Sequence, residues 1–282
     1  MPTFATPQPI SVTIEVGVGD IRINATARHD TAVEVRPSDS SKKSDVVAAS
    51  ETRVEFVDGR LLVAAPKNWR RYSFFNDGGS VDITIDLPTG SQVKADAAVA
   101  NFGATGTLGD TRFKTATGDI RVDSVDSAQL TTATGDLVVR KIGGRANISN
   151  GTGEIRVTEI AGRAVVKNSN GDTWIGDVTG NLHVNAANGD ISIDRTESDV
   201  SAKTANGSIR VGEATRGAVA LETAFGSLEI GISKGSAAWL DVQTKYGEVH
   251  NSMMAADTPD SNDETLEVRA RTSFGDIVIR RA

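Results

Sequence analysis

Five carboxylates stand at one fixed place in the sequence, each directly after a glycine: Asp119, Asp136, Glu154, Asp172 and Asp190. Glu248 and Asp276 occupy the same place further on, with Ser208 and Ser227 between them. If each interval is one turn of a coil of strands, neighbouring carboxylates stack about 5 Å apart. At an effective dielectric of 20 each adjacent pair then repels by roughly 3 kcal/mol before solvent screening. Such a ladder could bind cations such as Ca²⁺, or imitate the carboxylate clusters of β-helical polysaccharide lyases and hydrolases. Neither chemistry is completed elsewhere. The Gly-Gly-x-Gly-x-Asp nonapeptide of calcium-binding rolls is absent, and no distinctive acid–base partner accompanies the column. Asp after Gly is also ordinary turn chemistry, with Arg121, Arg140, Arg156 and Arg210 close in sequence to relieve the charge. No metal, no cofactor and no catalytic residue is therefore expected.

Three further features could contact a partner. The residue before the glycine is Thr or Asn in six repeats and then becomes Phe225, Tyr246 and Phe274. A column of rings would offer an apolar platform to a protein or a sugar face; alternatively it packs under the insertion between Met253 and Glu264. Trp174 stands in an outward column, either free for a partner or packed against the N-terminal segment. The stretch from Pro66 to Phe75 interleaves aromatic and basic residues. Lys67, Trp69, Arg70, Arg71 and Tyr72 read as a partner-contact loop or as a loop folded back over the body.

Composition narrows the remaining classes. The chain of 282 residues has no Cys and only three His, which removes disulfides, thiol nucleophiles and Cys-ligated metals and leaves little for a His-based site. A formal charge of −7 argues against nucleic acid, whose binding is driven by Lys and Arg. No nucleophile elbow, Walker loop or His-Glu-x-x-His occurs. Gly103-Ala-Thr-Gly106 precedes no helix and so makes no phosphate cradle. No apolar run is long enough to span a bilayer, and the first ten residues carry neither a basic nor an apolar leader region. A cytoplasmic location is the expectation, with surface association as the alternative, and no enzyme is expected.

The elements that must position these columns are set by a repeat. Gly, an acidic or Ser residue, an aliphatic, any residue, an aliphatic recurs from Gly118-Asp-Ile-Arg-Val122 to Gly275-Asp-Ile-Val-Ile279. The spacings are 17, 18, 18, 18, 18, 19, 21 and 28, the two longest reading as loop insertions, and Gly247-Glu-Val-His-Asn251 is degenerate. Aliphatics two and four residues after each Gly flank a mostly polar position, the period-two signature of a strand with one buried face. Apolar residues five and seven before the Gly mark a preceding strand, and a weaker column lies seven after it (Val125, Ile142, Ile160, Val178). Three before the Gly, Thr or Asn recurs, placed to hydrogen-bond between rungs. A rung this short cannot bury its own apolar face, so rungs must stack. No Pro occurs between Pro88 and Pro259, as a stack of paired strands requires.

Residues 10–90 read as strands without the repeat. Ser11–Val16 and Val81–Leu87 alternate, Asp58-Gly59 joins Val54–Phe56 to Leu61–Val63 as a hairpin, and Pro37–Asp45 is a polar loop. The fold class is therefore all-β: a single-stranded parallel β-helix or solenoid with about 18 residues per rung, capped by an irregular N-terminal β segment. Residues 1–9 form a tail, 10–90 the cap segment and 91–282 the β-helix repeats, in one continuous body, with Arg280 and Arg281 closing the far end.

The Thr-Ala-Thr-Gly-Asp-Ile, Ala-Asn-Gly-Asp-Ile and Phe-Gly-Asp-Ile rungs, with the strands Ile10–Val16 and Val81–Pro88, resemble the bacterial putative-adhesin family, a β-helical domain of unknown function. The resemblance covers about Ile10 to Ala282 and implies the fold; it carries no catalytic residue. A looser, fold-level similarity is to the polymerising bactofilins. The expected function is a non-enzymatic scaffold for protein interaction or assembly, through a protein partner or self-association, without membrane insertion. The alternatives are a surface adhesin that binds carbohydrate or protein, and a β-helical carbohydrate-active enzyme.

Overall fold

A computed structural model describes residues 2–65, 79–253 and 264–282, which form two compact units, Met1–Gly143 and Gly144–Ala282. Lys67, Trp69, Arg70, Arg71 and Tyr72 lie outside the described residues.

The first unit opens with β1 (Thr3–Ala5), the long β2 (Ser11–Thr26), β3 (Asp30–Pro37) and helix α1 (Lys43–Glu51). It continues with β4 (Arg53–Val57), β5 (Arg60–Ala64), β6 (Ser80–Pro88), β7 (Gln92–Lys114), β8 (Ile120–Thr134) and β9 (Leu137–Ile142). Parallel pairing links β9 to β8, β8 to β7 and β7 to β2. On its other side β2 pairs in parallel with β5 through its first half and with β6 through its second. The outermost strands then turn antiparallel: β4 on β5, β3 on β6 and β1 on β3. This is the expected irregular cap. It ends the parallel stack on short strands that are hard for another chain to extend. The Asp58-Gly59 hairpin forms as read, with φ of 48° and 72° supplying the primed turn that matches strand twist.

One local reading is corrected. The polar loop expected to run to Asp45 stops at Lys42, and α1 begins at Lys43. Asp45 is the reason. It is buried, its Oδ1 accepts the Ser80 backbone N–H at 3.1 Å, and its Oδ2 accepts that of Asp39 at 3.2 Å. A carboxylate that looked like loop solvation instead fastens the helix to the start of β6.

The second unit is the solenoid proper, built of two-strand rungs. In chain order these are β10 (Ala146–Thr152) with β11 (Ile155–Ile160), β12 (Ala164–Asn170) with β13 (Thr173–Val178), and β14 (Leu182–Asn188) with β15 (Ile191–Thr196). Next come β16 (Val200–Asn206) with β17 (Ile209–Ala214), and β18 (Gly217–Phe225) with β19 (Leu228–Ile232). Last are β20 (Ser236–Tyr246) with β21 (Val249–Asn251), and β22 (Glu264–Phe274) with β23 (Ile277–Arg281). Between β10 and β17 each strand pairs in parallel with its counterpart one repeat on, so residues 18 apart face each other: Val166 opposite Val184, Ile175 opposite Ile193. The weak apolar column belongs to the second strand of the rung. Pairing between β11 and β13 skips Thr158 and resumes at Glu159, and Ile160 and Val178 are buried. In the inner rungs the inward columns are fully buried, with Ile155, Val157, Ile175, Ile193 and Val211 all at 0% exposure.

The glycine corner fixes this register. Gly189 has φ +128°, and a Cβ there would lie 2.2 Å from the carbonyl oxygen of Gly171 one rung below. Both strain and contact exclude a side chain. Beside it, the inward Thr or Asn three residues earlier caps the same carbonyl column. Asn168 Nδ2 donates to Gly153 O at 3.1 Å, Thr223 Oγ1 to Gly207 O at 2.9 Å and Thr272 Oγ1 to Gly226 O at 3.0 Å. The expected bonds between rungs therefore run from side chain to backbone carbonyl.

The C-terminal end departs from chain order. β22 pairs with β18 on one side and β20 on the other, and β23 lies likewise between β19 and β21. The last rung in sequence is the second from the edge, and the rung 236–251 is outermost. Arg280 and Arg281 accordingly do not close the end: Arg280 bonds Glu229 at 2.9 Å, and Arg281 donates to the carbonyls of Ser233 and Ser236. Burial gives the reason. Leu266, Val268, Ala270, Ile277 and Ile279 are a complete apolar set, each at most 2% exposed, and gain most from two neighbours. The degenerate rung, with Asn251 in an aliphatic position and Val249 43% exposed, loses least at the edge.

Gly189→Ala is expected to lower stability by about 3 kcal/mol or more, because backbone strain and an unrelieved contact add. Gly235→Ala, also at positive φ (+86°) but with open space around it, should cost only about 1–2 kcal/mol. Thermal or urea melts of the two variants check the difference.

Candidate functional site

The two columns flanking the corner glycine both face solvent. After the glycine, Asp and Ser side chains reach along the stack to the backbone of the next rung. Asp172 Oδ1 accepts the N–H of Asp190 at 2.9 Å, Asp190 Oδ1 that of Ser208 at 2.8 Å, and Ser208 Oγ that of Ser227 at 3.2 Å. Asp276 Oδ1 accepts the N–H of Glu248 at 2.9 Å, consistent with the inverted order of the last two rungs. The first unit repeats the device, with Asn101 accepting from Asp119 at 3.0 Å and Asp119 from Asp136 at 2.9 Å. The acidic ladder thus satisfies corner N–H groups. Of the four arginines expected to offset it, Arg121 pairs with Asp119 at 2.9 Å and Arg156 with Glu154 at 2.7 Å. Arg140 and Arg210 pair elsewhere, with Asp123 and Glu229. Among the described residues no three His, Asp or Glu side chains converge as a metal site.

Before the glycine, the column changes chemistry along its length. Asn188 Nδ2 donates to Asn170 Oδ1 at 2.8 Å and Asn206 Nδ2 to Asn188 Oδ1 at 2.9 Å, a ladder of exposed amides. Phe225 follows Asn206 in register. Its ring stacks on Phe274 at 4.9 Å, and Phe274 stacks on Tyr246 at 4.8 Å, with interplanar angles of 3° and 13°. The ring spacing is the rung spacing, so strand pairing alone produces the stack. The spatial order Phe225–Phe274–Tyr246 is again inverted relative to sequence. The rings are 54%, 45% and 57% exposed. The Lys245 ammonium lies 5.4 Å from the Tyr246 ring centroid, a cation–π contact at the outer end.

Trp174 stands apart from this platform. Arg156 from the preceding rung covers its ring at 5.1 Å, and its Nε1 donates to Asp194 at 3.1 Å. It is half-buried among neighbours in its own outward face. Charged pairs follow on the same strands: the Arg195 guanidinium is held above its ordinary pKa chiefly by its hydrogen bond to Asp177.

Sequence reading missed Trp239. It is 58% exposed on the outermost rung and lines an open groove of ≈ 990 Å³ with Leu240, Leu266, Arg216 and Arg281. The signal was positional. Eight residues before the corner glycine the other rungs of this unit carry Arg145, Arg163, Asn181, Asp199, Ala218 and Glu267, and only here a Trp. The structure therefore places Phe225, Tyr246, Phe274 and Trp239 at the outer rungs of the unit and leaves Trp174 to the charged face.

Phe274→Ala removes two ring contacts and is expected to cost about 1–3 kcal/mol, read from the shift in melting midpoint. Asp190→Asn keeps an oxygen acceptor for the Ser208 N–H and should change stability by less than ~0.5 kcal/mol, whereas Asp190→Ala should cost about 1 kcal/mol. Added Ca²⁺ should leave the melting temperature of the parent and both variants unchanged.

No helix among the described residues is long and apolar enough to cross a membrane. No curated protein matches the sequence. Solved structures similar to the chain include a putative adhesin of Bacteroides fragilis, at 13% identity, covering 99% of this chain and 95% of that one with a TM-score of 0.38. A putative cell adhesion protein of Clostridium sporogenes is similar at 12% identity over 100% and 98% of the two chains, with a TM-score of 0.22. A putative adhesin of Parabacteroides merdae is similar at 12% identity over 100% and 95%, with a TM-score of 0.28. The profile of the Toastrack family, DUF4097, matches residues 10–280, nearly the whole chain and every rung described above, and the chain belongs to that family of β-helical domains of unknown function.

Proposed function

We propose that the chain is a non-enzymatic scaffold that assembles through its outermost rung, with a second copy of itself as the occupant of that edge. The observation that carries this reading is the state of the rung 236–251. Its inward residues Leu240 and Val242 are half-buried and Val249 is exposed, where the matching positions two rungs in, Val219, Leu221 and Leu228, are at most 2% exposed. Gly275 and Ile277 donate their N–H groups to the carbonyls of Tyr246 and Glu248 in the next rung outward. Gly247 and Val249 have no further rung among the described residues to receive theirs.

An 11-residue edge strand, free of Pro and apolar on one face, carries few of the devices that discourage edge pairing. Its charges suit a twofold partner. An antiparallel pair centred on Gln243 sets Asp241 opposite the partner's Lys245 and Val242 opposite the partner's Thr244. Inward faces then meet inward faces, and each copy covers the other's open end. The contact is isologous and closes on itself. The stacked rings and Trp239 lie beside this edge, available to extend the contact.

Sedimentation velocity across a concentration series tests the proposal. A reversible dimer is expected, and Leu240→Lys with Val249→Lys should return it to monomer with an unchanged circular dichroism spectrum. A parent chain that stays monomeric at high concentration, or a double variant that still dimerises, overturns it.

A further inference from the structure

The corner glycines are required by close approach of the next rung, but Gly103 is not. It lies within β7 with no positive φ, and a Cβ built there would meet nothing nearer than Ile21 O at 4.0 Å. Glycine inside a strand weakens it and often marks a place where a ligand comes close to the backbone. The neighbours of Gly103 make that place specific. In register, Arg22 of β2 lies on one side of it and Arg121 of β8 on the other. The missing side chain thus opens a notch between two guanidiniums whose Cα atoms are about 10 Å apart, two strand spacings.

Each arginine is paired with the aspartate two residues before it in the chain. Arg22 Nε pairs with Asp20 at 3.1 Å and Arg121 with Asp119 through one terminal nitrogen at 2.9 Å, which leaves each with further donors. The notch is an open groove of ≈ 260 Å³, below the size of pockets that take drug-sized ligands. Polar side chains stand at its two ends. Asp20 and Asn101 line one side, and Asn24 and Thr105, joined by a 3.0 Å hydrogen bond, line the other.

We infer that this notch binds a carboxylate-bearing saccharide unit. Two guanidiniums lining one notch suit an oxyanion, and a carboxylate in particular accepts their N–H groups in pairs. The carboxylate and amide oxygens on the walls, with the Thr105 hydroxyl, suit the alternating donors and acceptors of sugar hydroxyls. The site lies in the first unit and is independent of the edge strand proposed above for assembly.

Galacturonate and galactose differ at one carbon, so nuclear magnetic resonance titration of the full chain with each isolates the oxyanion, and acetate isolates the hydroxyls. Galacturonate is expected to shift the signals of Gly103 and its neighbours saturably, at least about tenfold more tightly than galactose or acetate. Gly103→Val should abolish this binding while melting at or above the parent temperature, and Arg22→Ala with Arg121→Ala should abolish it as well. Equal binding of galactose or acetate, no binding of galacturonate, binding retained in either variant, or a lowered melting temperature for Gly103→Val overturns the inference.

Discussion

At the corner of each rung the backbone passes so close to the rung below that a methyl group at Gly189 would lie 2.2 Å from Gly171 O. The rest of the second unit depends on that approach. It brings the carbonyls of one column within reach of the buried Thr and Asn donors, and the N–H groups of the next column within reach of Asp and Ser acceptors. Corner carbonyls and N–H groups thereby find side-chain partners. Strand pairing then has one available register, and every side-chain column inherits it. The buried aliphatics stack, the Asn amides form a ladder and the three rings lie nearly parallel, all at one spacing. The recognition features of the molecule are thus by-products of a backbone constraint, differing from rung to rung only in which side chain occupies a shared position.

The same constraint decides the meaning of the acidic column. Read as charge alone, five stacked carboxylates are a problem that a cation would relieve. In the structure Asp172 and Asp190 each accept a corner N–H one rung on, and arginines pair with Asp119 and Glu154. Hydrogen bonds to the ionised form and solvent exposure stabilise the charges where they stand. Serine substitutes at 208 because it too can accept an N–H at that distance.

The parallel coil and its rung length were legible because they rest on periodicity, and periodicity survives in a single sequence. The aromatic stack was legible for the same reason: Phe225, Tyr246 and Phe274 occupy one column. Three features were not. The order of the last rungs depends on which rung gains more from two neighbours, a comparison of burial that spacing does not express. Asp45 looked like a loop residue because its partners, Asp39 and Ser80, are set by the fold around it. Trp239 stood out only against a column whose register had first to be known. Gly103 was visible in the sequence, but the fact that nothing in the backbone requires a glycine there could be read only from its surroundings.

The inverted end also bears on how the chain comes together. Strands 236–251 emerge before strands 264–281, yet they rest on them. Rung-by-rung growth from the preceding repeats therefore cannot finish in the order of synthesis. The earlier segment must wait undocked, or occupy its successor's place and later yield it. Its strand pairing with the solenoid runs through the rung that follows it in sequence. Loss of that final rung would thus take the strand partners from the outermost layer as well, and this end is complete only when the last strand is in place.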